Sequence, residues 1–499
     1  MPVRPIITLL FLVTVLTILL SISIFFPKEG LKVTDDITIT FIKPEDLLFR
    51  TEEKYANISE IIEKSAMLSD TSYTKLSQDN QPIPKDTNKT DIDSSITPAI
   101  RLQFPENKSQ ILYPFFESIK NVSKEKKLVR ILHYGDSQIE GDRISSYLRA
   151  NLQLKFGGMG IGLLPIEQLY DMGFSIRQKN SDNWYRYTVY GKHDTTTSQN
   201  RYGALASFNR FTTLSKVNKN LTNSESMAWV SFSSSSSSYP NTKSFQQCRI
   251  FYSNNSSPFL TELYQGDVLA STETYPVSNT FQTIRWVFDR PVSNIKIVFK
   301  GSDSPDIYGI ALDGLSGVAL DNIPMRGSSG LIFTRLDKRN LKENYGALNV
   351  KMIILQFGGN TATNLTDDYT YYEKSFYAQL KRIREILPDV AIVVIGVADM
   401  SIKNKDGYVT YPNLEKVRDA MRNATFEANG IYWDTFEAMG GRNSMPSWVN
   451  AKPPLASKDF VHFNLQGSKV IAQMFYNSLI YEYNLYEKNT INETDKSHQ

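Results

Sequence analysis

Two nearly unbroken apolar runs, Met352-Ile353-Ile354-Leu355-Gln356-Phe357 and Ala391-Ile392-Val393-Val394-Ile395, constrain the fold more than any other feature. Strands that read this way are buried on both faces, and such strands belong to parallel sheets covered by helices. The segment between them, 369–387, has helical periodicity and is closed by Pro388. A second helix is predicted over 414–429, ended by Gly430, with Ile431-Tyr432-Trp433-Asp434 as a short strand after it. Upstream, Leu128-Val129-Arg130-Ile131-Leu132-His133-Tyr134 reads as a strand that stops at Gly135-Asp136-Ser137, and 140–156 carries a mostly helical pattern. A final helix is predicted over 464–481. Strands alternating with helices imply an α/β fold, a parallel sheet with helices on both faces.

One stretch breaks the alternation. Residues 183–310 hold short alternating runs such as Ala228-Trp229-Val230-Ser231-Phe232 and Asn294-Ile295-Lys296-Ile297-Val298-Phe299, separated by turn residues. This spacing predicts an inserted antiparallel β-sandwich. The α/β domain is then expected in two parts, 105–182 and 311–485, followed by a polar tail, 486–499. At the other end, Ile6 to Phe26 runs without a charge, enough to cross a membrane as a helix. Arg4 precedes the run and its end is bulky, with no small-x-small cleavage site, so 1–27 reads as an uncleaved signal anchor, a transmembrane helix with the body exported. A long signal peptide that is removed is the alternative. Segment 28–104 is polar and reads as a linker.

Composition removes several classes. Lys plus Arg is 55 against 52 for Asp plus Glu, which gives no general electrostatic drive toward nucleic acid. Cys248 is the single cysteine, so no intrachain disulfide, cysteine-based metal site or lipoprotein anchor is available. Gly158-Met159-Gly160-Ile161-Gly162 follows a helix rather than a strand, which disfavours a dinucleotide site. No Gly-x-Ser-x-Gly elbow and no His-Glu-x-x-His occurs, and no metal or cofactor is implied.

A serine at the carboxyl end of a parallel strand, on a tight turn into a helix, stands where open α/β sheets place their ligands. Ser137 has that place, although Gly-Asp-Ser is also an ordinary turn. A nucleophilic serine needs a base, and the chain has four histidines: His133, His193, His462 and His498. His498 lies in the polar tail, His193 in the insertion beside Asp194, and His133 inside the first strand, where it packs or hydrogen-bonds locally. His462 remains, in Ser457-Lys458-Asp459-Phe460-Val461-His462-Phe463-Asn464 just before the last helix. Asp459, three residues earlier, can accept the other imidazole N–H, or simply cap a turn beside a surface histidine. Backbone donors for a developing oxyanion could come from the Gly-rich loop at Gly327 and from Gly358-Gly359-Asn360; each lost donor would cost about 3 kcal/mol.

Taken in order, Gly-Asp-Ser after the first strand, a Gly loop, Gly-x-Asn after a later strand and Asp-x-x-His near the carboxyl end resemble the four blocks of the SGNH, or GDSL-type, hydrolases. The resemblance covers roughly 127–162 and 313–481. It implies a flavodoxin-like three-layer α/β/α sandwich, with Ser137 as nucleophile and first oxyanion donor, Gly327 and Asn360 as further donors, His462 as base and Asp459 as its orienting partner. Gln138 stands where Leu is common, and Thr361 follows Asn360 where Asp is often seen. The run from His133 through Gly135-Asp136-Ser137-Gln138 to Arg143 is similar to bacterial peptidoglycan O-acetylesterases, whose sandwich, resembling a carbohydrate-binding module, is inserted between the first and second blocks. That likeness implies removal of O-acetyl groups from peptidoglycan or another envelope polysaccharide, by an enzyme of the bacterial cell envelope held in the inner membrane with its body periplasmic. Transfer of the acyl group to a sugar, or glycan binding without catalysis, are the alternatives. Arg143 and Arg326 flank the site and could meet an anionic glycan, or serve as ion pairs.

Overall fold

The computed structural model describes residues 5–25, 31–34, 37–39, 55–63, 100–170, 173–191, 200–214, 225–405 and 407–497. Most of the linker, His193 and His498 lie outside the described residues. The chain divides into two compact units at Ala56/Asn57. In the first, Pro5–Phe25 is a helix, and Leu31–Thr34 pairs antiparallel with Ile37–Ile39. Among the described residues, no helix is long and apolar enough to cross a membrane. The transmembrane helix expected over 1–27 is therefore not supported by the described residues.

The second unit is built on a parallel sheet whose described strands are β1 (Leu128–Gly135), β2 (Gly317–Pro324), β3 (Val350–Gln356), β4 (Ala391–Ile395) and β5 (Ile431–Trp433). Their order is β2-β1-β3-β4-β5, every neighbour parallel. This is the flavodoxin-like order, whose topological switch point lies between β1 and β3. The strands are buried nearly throughout because helices cover them: α1 (Ser145–Phe156), α2 (Lys338–Leu348), α3 (Thr370–Ile386), α4 (Leu414–Glu427) and α5 (Leu465–Ser497). One core joins Ile353, Leu355 and Val394 of the sheet to Phe376, Leu380 and Ile383 of α3 and to Val417 and Met421 of α4. The last helix outruns its expected end and takes up the segment read as a polar tail. Tyr483 and Tyr486 extend its apolar face by packing on Phe116, and Tyr483 also on Phe156.

Between α1 and β2 the chain forms two packed antiparallel sheets. One carries Ile176–Asn180, Ser226–Ser234, Phe259–Gln265, Val268–Tyr275 and Asn294–Gly301; the other carries Tyr185–Thr188, Ser207–Arg210, Phe245–Ser253, Gln282–Val292 and Asp306–Asp313. Trp184, Phe232, Cys248, Ile250, Ile297 and Phe299 are buried between them. The sandwich begins before residue 183, because Ile176–Asn180 joins one sheet and Gly162–Leu164 pairs with Asp306–Asp313 of the other. A buried charge cluster ties it to the parallel sheet: Arg130 of β1 bonds Asp321 of β2 and Asp313, each at 2.5 Å, and Arg249 of the sandwich reaches Asp313 at 3.1 Å. Breaking one partner of such a cluster leaves an uncompensated buried charge, so the two bodies are held in register.

Candidate active site

Strand β1 ends in a turn that admits no side chain at Gly135. A Cβ there would lie 2.9 Å from the Gln356 carbonyl oxygen of β3 and 2.9 Å from Ile139. The neighbouring Asp136 N–H donates to that same carbonyl at 3.1 Å, which pins the turn to the switch point. Ser137 then opens a 3-10 segment, Ser137–Asp142, capped by Asp136, whose Oδ1 accepts the Gln138 N–H at 3.0 Å.

The loop before α5 brings the base to this serine. Asp459 Oδ1 accepts the N–H groups of Val461 at 2.9 Å and His462 at 3.0 Å, while Phe460 takes a left-handed conformation, φ 58°. The turn leaves Asp459 Oδ2 2.8 Å from His462 Nδ1, and His462 Nε2 2.8 Å from Ser137 Oγ. Burial alone would push the Asp459 carboxyl up, but the His462 N–H, the His462 ring and the Val461 N–H outweigh it and hold the carboxyl below its ordinary value. An ionised carboxylate only accepts, so Nδ1 carries the proton and Nε2 is left to accept from the Ser137 hydroxyl. The aromatic ring of Phe460 stacks on Tyr408 at 3.6 Å, and the Ser401 N–H donates to the Phe460 carbonyl at 2.9 Å, so the hairpin Ser401–Asn404/Gly407–Thr410 supports the loop from outside.

Asn360 lies just past β3, in the turn after Gly358, where a Cβ on that glycine would come within 2.8 Å of the Met421 sulfur. Its amide Nδ2 donates to the Ser328 carbonyl at 3.1 Å and stands 3.5 Å from Asp136 Oδ2. A cavity of about 250 Å³ opens beside Ser137, His462 and Asn360, walled by Phe357, Gly359, Val397, Ala398, Met400 and Tyr411. The structure thus brings Ser137, His462, Asp459 and Asn360 together at the carboxyl edge of β1 and β3. Gly327 is not among the residues lining that cavity; it is exposed, with φ 76°, one residue before the carbonyl that Asn360 binds. His133 is buried, 2.8 Å from Ser145 Oγ and 3.1 Å from Gln356 Oε1, and burial pushes its imidazole down to about 3, a local hydrogen-bonding role.

The two arginines are engaged by the protein itself. Arg143 donates from all three guanidinium nitrogens to backbone carbonyls, Glu140 at 2.8 Å, Phe463 at 2.9 Å and Ser137 at 2.7 Å, so it braces the site rather than facing a ligand. Arg326 forms a two-pronged pair with Glu140, both contacts 2.6 Å, and lies over the Tyr170 ring at 4.5 Å. Its side chain is 60% exposed, so it sits at the rim. Sequence reasoning gave no role to Asp136, and treated Gln138 only as a departure from Leu; the polarity of Gln138 at that position was the available signal.

Asp136 is 3% exposed, and burial raises its carboxyl from 3.8 to about 6, with the Gln138 N–H and His462 opposing and Glu140 adding to the shift. The native chain therefore keeps a proton that the unfolded chain has lost between about pH 4 and pH 6, and stability falls as pH rises through that window. Asp136→Asn removes the penalty. Its effect on stability is expected to be more favourable at pH 8 than at pH 4, by up to about 3 kcal/mol between the two, read from denaturant unfolding at both values. The same variant is expected to lose activity, because an amide that still caps Gln138 turns its NH2 toward the NH2 of Asn360.

In fold, and in the order of its four blocks, the chain resembles the SGNH, or GDSL-type, hydrolases. Among solved structures it is similar to a peptidoglycan O-acetylesterase, with a TM-score of 0.57 and 20% identity over 74% of this chain and 96% of that one, which shows a common fold. A salicylyl-acyltransferase from a tetracycline biosynthetic pathway (TM-score 0.26, 13% identity, 47% of this chain and 79% of that one) and a family two carbohydrate esterase from Clostridium thermocellum (0.23, 10%, 52% and 94%) are more distant. No protein-family model matches the sequence, and no curated protein is significantly similar to it.

Proposed function

We propose that this chain is a serine-dependent carbohydrate O-acylesterase that removes O-acetyl groups from peptidoglycan or a related envelope polysaccharide. The observation that carries the reading is the continuous hydrogen-bonded line Ser137–His462–Asp459, 2.8 Å at each step, at the mouth of a small cavity. Ser137 Oγ attacks the ester carbonyl as His462 Nε2 takes its proton. The tetrahedral oxyanion is met by the Ser137 N–H and the Asn360 amide. Collapse expels the sugar hydroxyl, which receives the proton from His462, and water then frees the acyl group from Ser137 by the same route.

Cavity size and walls support a short acyl group. Val397, Ala398 and Met400 offer apolar surface, and a volume of about 250 Å³ leaves the glycan outside, over the rim. On this reading the amino-terminal apolar segment directs the body out of the cytoplasm, and is kept as an inner-membrane anchor or removed as a signal. Fractionation of cells, with sizing of the chain, distinguishes the two, and a purely cytoplasmic full-length chain would refute both.

The full-length protein, incubated with O-acetylated peptidoglycan, is expected to release free acetate, and to leave a chemically de-O-acetylated sample untouched. An oligosaccharide acceptor should not divert the acetate. Acetylated acceptor forming faster than free acetate would make the enzyme a transferase, and no acetate from either route would leave glycan binding without catalysis.

A further inference from the structure

The Ser137–His462 contact joins segments 325 residues apart, and a lone hydroxyl–imidazole bond cannot set that geometry. Something else must register the base loop on the nucleophile turn. Gln138, the residue directly after the nucleophile, is built for it. Its Nε2 donates to the Val461 carbonyl at 2.7 Å and its Oε1 accepts the Phe463 N–H at 3.3 Å. These are the two residues flanking His462, so one side-chain amide pairs with the base loop as a neighbouring strand would. Gln138 is itself fixed, since its own N–H is held by Asp136. Arg143 adds a second tie, spanning the Ser137 and Phe463 carbonyls.

Resting on the triad reading above, we propose that Gln138 is a positioning residue that sets the distance and angle of His462 to Ser137 through paired hydrogen bonds to Val461 and Phe463. It touches no reacting atom. A leucine at this position could fill the space but neither donate nor accept. Positional tolerance at such a site is small, and a displacement near 1 Å costs on the order of 100-fold.

Two replacements separate positioning from packing. Gln138→Met keeps length and loses both hydrogen bonds; kcat on an aryl acetate is expected to fall 10- to 100-fold with KM within about twofold. Reaction of Ser137 with a fluorophosphonate, which reads the nucleophile without glycan binding, should slow in parallel. Gln138→Glu accepts from Phe463 but, ionised, cannot donate to Val461; protonated, it restores both bonds. Its activity relative to the parent protein is therefore expected to be lowest at pH 8 and to recover as pH falls toward about 5 and below, where a carboxyl facing the Val461 carbonyl gains its proton. A Gln138→Met kcat within twofold of the parent, or a Gln138→Glu deficit that is flat with pH, would overturn the proposal. The Glu profile decides even if the Met variant proves unstable. Turnover that survives Ser137→Ala would instead sink the triad itself, an outcome independent of either Gln138 result.

Discussion

Ser137→Ala and His462→Ala are each expected to lower kcat on an acetyl ester by roughly 10⁴- to 10⁶-fold, with KM little changed. The magnitude follows from how the groups act. Without Oγ there is no acyl-enzyme, and without Nε2 the hydroxyl keeps its proton; either loss closes the same path. The double variant should therefore be hardly slower than either single one, because groups that act as one unit are not additive. Both side chains are only half-buried, so the fold should tolerate the changes. Steady-state kinetics beside thermal unfolding checks this, and losses that simply added in the double variant would argue for two separate roles.

Asp459→Asn is expected to cost about 10⁴-fold in kcat while leaving the loop in place. An asparagine Oδ1 can still accept the Val461 and His462 N–H groups that form the turn. Its NH2 then faces His462 Nδ1 as a donor, which forces the ring proton onto Nε2 and presents Ser137 with N–H instead of a lone pair. Because the Asp459 carboxyl is held below its ordinary value, its ionised contact with His462 is expected to persist throughout the neutral range and to be lost, with its share of stability, as pH falls through the lowered value. Proton NMR of the imidazole ring, with kcat on the same samples, tests the tautomer directly. An Asp459→Asn enzyme within tenfold of the parent would show that the carboxylate does not orient the base.

The parallel sheet and the four site residues were legible because each depends on short-range pattern. Strands β3 and β4 are nearly unbroken apolar runs, and Ser137, Asn360 and the Asp459–His462 pair lie at strand ends or directly before a helix. Gln138 and Arg143 were not legible in the same way: their partners Val461 and Phe463 are more than 300 residues away, and nothing local marks a side chain that will bond a distant backbone. The early start of the sandwich was hidden for another reason. Ile176–Asn180 buries Ile176 alone and is otherwise polar, so periodicity gave it no strand signal. At the other end, the tyrosines that prolong α5 are amphipathic and stand among charges, which makes a packed face resemble a polar tail.

The most direct test of the account is covalent. The full-length protein mixed with an aryl acetate, quenched in acid during the burst and digested, should yield one acetylated peptide, with the acetyl group on Ser137, and none from Ser137→Ala. Sustained turnover with Ser137 unmodified at every time point, or an acetyl group found on another residue, would contradict the acyl-serine mechanism.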